Sequence, residues 1–169
     1  MALNTQVLTK SMTNGFAGSY ARQPEMIVST RKVGGASAIE FGAPLKYDGT
    51  AVVLMGASSA ATDFVGFAGR EFKTSLNYLD QKGEYAVGED ASVFQLGCIN
   101  VKCQKGTPAL NGDVYVRITA NASYPTAVVG GLEAAADSTN TVKLTNVKWN
   151  GEADANGVAE VRILNMINA

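Results

Sequence analysis

Carboxylates are the side chains of this sequence that could do chemistry, because two acids at a suitable separation can cleave a glycosidic bond. The acids considered for such a pair are Glu84, Glu89, Asp90, Asp137 and Asp154. They stand beside glycine, alanine and asparagine, where turns are expected, and a solvated turn carboxylate explains them more simply. The chain contains no histidine, so it lacks the commonest general base and zinc ligand. The sequence therefore predicts a protein that is not an enzyme and has no small-molecule substrate.

Cys98 and Cys103 are the only thiols, and their spacing matches no usual pair of zinc ligands. If both lie on one extended segment, their Cα atoms stand about 16 Å apart, which is too far for a disulfide. We therefore expect two reduced, packed thiols. The pairs Gly34-Gly35 and Gly130-Gly131 belong to no phosphate-binding motif and are interpreted as turns or bulges. No catalytic, cofactor-binding or metal-binding residue is predicted.

Charges are few and balanced in this chain. Lys and Arg number 14 and Asp and Glu 15, for a net charge of −1, and no basic run offers the positive surface that nucleic acid requires. No apolar stretch is long enough for a signal peptide or a membrane span, so we expect neither nucleic acid nor a membrane as partner, and synthesis in the cytoplasm. The charged fraction of 17% is below the ~25% of typical soluble domains. This predicts that other molecules cover part of the surface.

Short segments that alternate apolar and polar residues, separated by Asn-Gly and Asp-Gly pairs, recur along the chain. This pattern is typical of antiparallel strands joined by tight turns. The predicted fold class is all-β, a small antiparallel barrel or sandwich of about eight short strands with an extended N-terminal arm. The strands are expected near residues 38–42, 51–55, 64–70, 93–103, 113–119, 127–131, 141–149 and 158–164.

The clearest strand covers residues 113–119. Its alternation predicts that Val114, Val116 and Ile118 face the core, with Tyr115 and Arg117 on the other side. Residues 71–83 are the main exception to the β pattern. Their apolar residues could line one face of a short helix or lie in a long loop packed on the barrel.

The strand at residues 141–149 contains an irregularity and the single tryptophan. Its apolar phase slips after Leu144, which predicts a one-residue bulge near Thr145-Asn146. Trp149 is expected to be a core or interface anchor rather than a platform for stacking sugars. If it is buried, Trp149→Ala would cost about 3–5 kcal/mol.

Residues 1–33 are predicted to form the extended arm, and residues 34–169 the β-barrel domain. The arm is rich in Asn, Thr, Ser, Gln, Gly and Ala, and its apolar residues Phe16, Tyr20, Met26 and Ile27 are too widely spaced to build a core. Alone it would bury too little apolar surface to offset its ordering entropy, so we expect it to order against a partner. The alternative is a tail that is disordered in every setting.

Several motifs follow one another in a recognisable order from about residue 16 to the C-terminus. They are Pro24-Glu25-Met26-Ile27, Glu40-Phe41-Gly42-Ala43-Pro44-Leu45, Phe64-Val65-Gly66-Phe67-Ala68, Tyr85-Ala86-Val87-Gly88-Glu89-Asp90, Asn111-Gly112-Asp113-Val114-Tyr115-Val116, Val147-Lys148-Trp149 and Gly157-Val158-Ala159-Glu160-Val161-Arg162-Ile163. In this order they resemble the structural cement, or head-decoration, proteins of tailed bacteriophages. Glu25 departs from that family's pattern, which has glycine there, and residues 71–83 have no clear counterpart in it.

The resemblance implies a β-rich protein that binds the outer face of the major capsid protein lattice and stabilises the mature head. It also implies a place on the outer surface of the virion and self-association as a dimer or trimer. On this basis the arm residues expected to contact the capsid are Phe16, Tyr20 and Met26 as apolar anchors and Arg22 and Arg31 as partners of capsid carboxylates.

Two other classes of function remain open at this stage. A glycan- or surface-binding β-domain of a phage fibre or adhesin would carry clustered exposed aromatic side chains. An all-β hydrolase would need a working pair among the sparse acids.

Overall fold

The computed structural model of the chain describes residues 13–22, 25–70 and 83–166. The fold is almost entirely β, which confirms the predicted class. Two short 3₁₀ turns, Ala61–Asp63 and Ser138–Asn140, interrupt it. The strands are β1 (Ile27–Lys32), β2 (Ile39–Glu40), β3 (Pro44–Asp48), β4 (Ala51–Leu54), β5 (Phe64–Ala68), β6 (Glu84–Tyr85), β7 (Asp90–Lys105), β8 (Asp113–Arg117), β9 (Leu132–Glu133), β10 (Thr141–Trp149) and β11 (Val158–Ile163).

The predicted strands overlap observed strands with one exception. Residues 127–131 form turns, so the strand predicted there is wrong. Gly130 has a φ of +86°, and a Cβ on it would lie 2.8 Å from Leu54 Cδ2. The backbone here turns against another element, in a conformation that favours glycine. The prediction also missed β1, β3, which begins at a proline, and the two-residue strands β6 and β9.

Five strands close on themselves. β7 pairs with β11, β11 with β10, β10 with β8, β8 with β9, and β9 with β7, so the ring is the closed barrel that hides its own edges. Trp149 lies inside with 1% of its surface exposed, which confirms its place in the core and removes it as a sugar platform. Its neighbours in the core are Ile99, Val101, Val114, Val116, Leu132, Leu144, Val147, Ala159, Val161 and Ile163.

A second sheet runs in the order β1, β7, β5, β3, β4. A parallel bridge between Val33 and Val52 joins its two outer strands. This sheet encloses a smaller apolar core, whose members are Val33, Ile39, Leu45, Val52, Val65, Ala68, Tyr85, Ala91 and Val93. All five residues of β5 are buried, because Phe64 and Phe67 face the barrel core while Val65 and Ala68 face the smaller one.

β7 belongs to both sheets. Its first part pairs with β1 and β5, and from Gly97 onward it pairs with β11. The change occurs at Gly97, which has a φ of +107° and on which a Cβ would collide with the carbonyl oxygen of Glu25. Glycine is the residue that tolerates both conditions, so this position fixes how the two sheets meet.

β10 has a bulge where one was predicted, but it is larger than the predicted single residue, since β10 advances four residues while β8 advances one. Its register with β8 moves from Leu144 opposite Val114 to Lys148 opposite Asp113. The buried residues on the two sides of the shift are Leu144 and Val147. The bulge therefore keeps both apolar side chains in the core although the spacing between them is odd.

The structure differs from the predicted arm in part. β1 lies within residues 1–33 and pairs with β7 from Ile27 to Lys32, and Val28 packs against the barrel core. The chain supplies its own partner here, the edge of β7, so this part needs no second molecule to order. Residues 1–12 and nearly all of the 71–83 segment lie outside the described residues. No helix in the described ranges is long and apolar enough to cross a membrane.

Candidate functional site

Residues 13–22, here called the strap, lie along the second half of β7. The amide of Gly18 donates to the carbonyl of Asn100 at 2.7 Å, and the amide of Ala21 to that of Cys98 at 3.0 Å. In the opposite direction the amide of Asn100 donates to the carbonyl of Ser19 at 2.9 Å. The strap thus occupies an edge of β7 that would otherwise expose unpaired backbone groups.

Asn14 attaches the start of the strap to the turn before β11. Its side-chain amide donates to the carbonyls of Val158 at 2.8 Å and Glu152 at 3.1 Å. Its backbone amide donates to Asp154 Oδ2 at 2.9 Å. Burial opposes ionisation of Asp154, but hydrogen bonds from the amides of Val158, Asn14 and Asn156 outweigh it and lower the pKa of this carboxyl.

The strap approaches the second sheet closely at Gly18. This residue has a φ of +80°, and a Cβ on it would lie 2.9 Å from the carbonyl oxygen of Ala68 and 2.9 Å from the amide nitrogen of Gly42. The carbonyl of Gly18 accepts a hydrogen bond of 2.7 Å from the amide of Arg70. A side chain at this position would push the strap away from both sheets.

Two of the predicted contact residues are anchors within the chain itself. The ring of Tyr20 stacks on Phe94 with centroids 5.3 Å apart, and Tyr20 forms an antiparallel bridge with Ile99. Met26 is partly buried and also packs against the barrel core. Both side chains bury apolar surface against the chain's own core, and these contacts position the strap and β1.

Arg22 has an internal partner as well. Its guanidinium donates to both carboxylate oxygens of Glu160, at 2.8 and 3.3 Å, while 66% of its side chain stays exposed. Burial works against ionisation of Glu160, but hydrogen bonds from Arg22 and Asn150 overcome it and lower the pKa of that carboxyl. Arg22 therefore links the strap to β11.

Phe16 and Arg31 are the predicted contact residues that project outward. Phe16 is 66% exposed, and the guanidinium carbon of Arg70 lies 4.4 Å from its ring centroid, within the range of a cation–π contact. Arg31 is exposed on β1 and donates to the carbonyl of Thr30 at 2.9 Å. Like Arg22, these two residues are exposed and accessible to another molecule.

A buried polar cluster, which the sequence analysis missed, lies beneath residues 118–137. Arg117 and Glu133 are both fully buried and paired through Nε and Oε1 at 2.5 Å and Nη2 and Oε2 at 3.0 Å. Arg117 Nη2 also reaches Asp137 Oδ2 at 2.8 Å. Alternation put Arg117 on the opposite side of β8 from Val116, but it did not indicate that the loop covers that side. A signal was present, since Arg117 and Glu133 bracket a stretch, residues 118–132, without a single charge.

The same cluster holds the loop in place. The side-chain amide of Gln104 accepts from the backbone amide of Val128 at 3.0 Å and donates to its carbonyl at 2.9 Å. Lys105 Nζ lies 3.4 Å from the ring centroid of Tyr124. Hydrogen bonds from the amide of Asn121 and the guanidinium of Arg117 lower the pKa of Asp137. The loop is fixed by paired charges, and these groups are occupied with each other.

Three of the acids considered for catalysis, Glu89, Asp137 and Asp154, have structural partners. Asp137 accepts from Arg117 and Asn121, Asp154 from backbone amides, and Glu89 Oε2 from the amide of Ala86 at 2.7 Å. Carboxyls whose pKa is lowered, as for Asp137 and Asp154, are poor proton donors near neutral pH. The prediction that the acids lie in turns is wrong for Glu84, which lies in β6, and for Asp90, which begins β7.

The two cysteines lie on β7 as free thiols, as expected. Burial raises the pKa of both thiols, which keeps them neutral and unreactive. Among the described residues, no group of three His, Cys, Asp or Glu side chains could hold a metal ion. The exposed aromatic side chains in the same ranges are Phe16 and Tyr124, and each lies over a different cation, Arg70 and Lys105.

Comparison with known proteins gives a match of family and several of fold. The family model described as structural cement protein (E217 gp24/Pam3 gp6) matches residues 3–164. A chain in the solved structure titled "The capsid of Myoviridae Phage XM1" superposes with a TM-score of 0.71 at 22% identity, covering 98% of this chain and 99% of that one. Among curated proteins, no significant match is found.

Proposed function

The chain belongs to the structural cement protein family of bacteriophages and acts as a capsid cement, and from this premise we propose that it binds the outer face of the major capsid protein lattice. The observation that carries the proposal is the family match, which spans residues 3–164 of a 169-residue chain. The family is one of structural proteins, which agrees with a chain whose acids and thiols serve its fold. In this proposal the protein is made in the host cytoplasm and ends on the outer surface of the virion.

The strap and β1 are the proposed capsid contact. Phe16, exposed and backed by Arg70, would enter an apolar pocket of the coat, and Arg31 would meet a coat carboxylate. Tyr20, Met26 and Arg22 would act mainly by holding these two in place. An apolar anchor supplies most of the affinity of such a contact and the charges its orientation.

Self-association as a dimer or trimer on the lattice belongs to the same proposal. A protein that binds only the expanded lattice stabilises it by mass action. Many copies that also contact each other bind more firmly than one, because each further contact forms at a high effective concentration. The proposed effect is a mature head that resists internal pressure.

Deletion of the whole predicted arm is a poor test of this contact. Tyr20, Met26 and Val28 pack against the barrel core, so removal of residues 1–33 would expose that core rather than leave a folded domain. A single exposed side chain is a cleaner target. Phe16→Glu places a charge on the proposed anchor and leaves the backbone bonds of the strap intact.

The experiment measures binding to expanded heads that lack the protein, by co-sedimentation and electron microscopy. Leu110→Glu is the matched control, because Leu110 is 74% exposed in the turn between β7 and β8. We expect Phe16→Glu to lose decoration while Leu110→Glu keeps it. Undiminished decoration by Phe16→Glu would overturn the strap contact, and failure of the unmodified protein to bind heads would overturn the proposed function itself.

A further inference from the structure

The two longest stretches of the chain without a charged residue are residues 49–62 and 118–132. They lie far apart in sequence but pack against each other. A Cβ on Gly130 would lie 2.8 Å from Leu54 Cδ2, and one on Gly56 would lie 3.5 Å from Val129 Cγ1. The two stretches therefore form one continuous uncharged surface beside the barrel.

This surface, here called the neutral face, contains exposed apolar groups. Val128 is 63% and Tyr124 is 42% exposed. Exposed small and polar residues surround them, namely Ala57, Ser58, Ala60, Pro125 and Thr126. Large aromatic and aliphatic groups within a surface patch that lacks charge are the composition of the centre of a protein interface.

The neutral face is also held rigid. Gln104 binds both backbone polar groups of Val128, and the ammonium of Lys105 lies against the ring of Tyr124. The buried pair of Arg117 and Glu133 fixes both ends of the loop. A surface that is already ordered loses little entropy on binding, which favours association.

We propose that the neutral face is the surface through which two copies of this chain bind each other. In a symmetric pair the same patch meets itself, so any charge near the axis would face its own copy and repel it. A patch without charges avoids that cost. The net charge of −1 also gives two copies little long-range repulsion. The proposal rests on the proposed self-association of a capsid cement and assigns a surface to it.

The lack of charge also favours a second copy over the coat as occupant. A partner of different sequence is usually selected by complementary charges that steer the encounter. The residues of the neutral face carry none, and the ammonium of Lys105, which touches Tyr124, is mostly buried and lies 3.7 Å from Asp137 Oδ2. Arg31, Lys32 and Arg22 supply such charges on the strap and β1. In this proposal the strap and β1 bind the coat, and the neutral face binds a second copy of the chain.

The test uses the full chain with opposite charges introduced at one exposed position. Val128→Glu and Val128→Lys change only an exposed side chain, since the contacts of Gln104 are with the backbone of Val128. Association is measured by sedimentation velocity over a range of concentrations, and thermal unfolding checks that each variant is folded. Leu110→Glu again serves as the control for added charge.

We expect concentration-dependent association of the unmodified chain and of Leu110→Glu. Each Val128 variant alone should associate roughly 100-fold more weakly, because like charges then meet across the contact. An equimolar mixture of the two should recover association, since opposite charges meet instead. Recovery on mixing is specific to a face that binds itself.

Three results would overturn the proposal. The unmodified chain could remain monomeric at every concentration, the Val128 variants could associate as well as it does, or the mixture could show no recovery. Folded variants that still associate but no longer bind heads would assign the neutral face to the coat instead. Head binding by the unmodified protein is measured alongside, so failure of the cement function is separate from failure of this surface.

Discussion

The strap and the loop at residues 118–137 both lie outside the long strands, yet the protein fixes them in different ways. Backbone hydrogen bonds, a partly exposed aromatic stack and an exposed ion pair hold the strap. A fully buried ion pair with a second carboxylate, that of Asp137, holds the loop. Buried charges must stay paired because water cannot replace a lost partner, whereas exposed charges exchange a partner for water at little cost. The strap can therefore detach locally, while the loop cannot move without disturbing the barrel.

The strongest test of this difference removes one member of the buried pair. Arg117→Ala should lower the free energy of unfolding by about 3–5 kcal/mol, because it leaves Glu133 buried without its opposite charge and with only a hydrogen bond from Gln104. Chemical denaturation measures the loss. A double variant, Arg117→Met with Glu133→Leu, should recover much of it, since an apolar pair needs no compensating charge. A loss equally large in the double variant would mean that the packing of the arginine, rather than its charge, holds the loop.

A smaller effect is expected in the strap. Tyr20→Ala should cost about 2 kcal/mol, less than a fully buried aromatic residue, because part of the ring is already exposed. Tyr20→Phe keeps the ring on Phe94 and serves as the control for the hydroxyl. Hydrogen exchange should show faster exchange at the amides of Gly18 and Ala21 in Tyr20→Ala, with the amides of β8 unchanged. Faster exchange in both regions would contradict local detachment of the strap.

Acid should weaken the loop through Asp137. The pKa of this carboxyl is lowered in the folded state by Asn121 and Arg117, so its stabilising effect is present above the unfolded value of about 3.9. That effect is lost as the pH falls through the lower folded value. Unfolding of the parent chain and of Asp137→Asn should therefore differ most above about pH 4 and converge at lower pH. A difference that does not depend on pH would show that the ionised state of Asp137 is unimportant.

The smallest effect is expected at the exposed ion pair. Arg22→Ala should leave the denaturation midpoint unchanged within error, because two thirds of the side chain is in water and such pairs stabilise little. Glu160 also keeps its hydrogen bond from Asn150. A shift in the midpoint as large as that of Tyr20→Ala would mean that the ion pair of Arg22, rather than the aromatic stack, is the main contact that holds the strap.

Alternation and turn chemistry were enough to predict an all-β barrel or sandwich, and the structure shows the barrel. The pattern around Val114 and Val116 identifies β8, and the phase slip after Leu144 identifies the bulge in β10, because both depend on neighbours in sequence. Contacts between distant residues could not be predicted in this way. The pairing of β1 with β7 and of Arg117 with Glu133 depends on which side of a strand another segment covers.

The same limit applies to the predicted contact residues. The sequence identified Phe16, Tyr20 and Met26 as isolated apolar groups in a polar segment, which is correct. It could not distinguish an anchor facing another molecule from one facing the chain's own core, since both have the same composition. Burial separates them, with Phe16 exposed and the other two packed on the barrel core.

The strand common to both sheets has a mechanical consequence. Because β7 contributes Phe94 and Ile99 to one core and Ala91 and Val93 to the other, tension applied to either sheet is carried into its companion along a single covalent backbone. The molecule should consequently melt in one cooperative step rather than in halves. For a capsid cement, this cooperativity means that strain is shared by the whole domain and does not separate the two sheets.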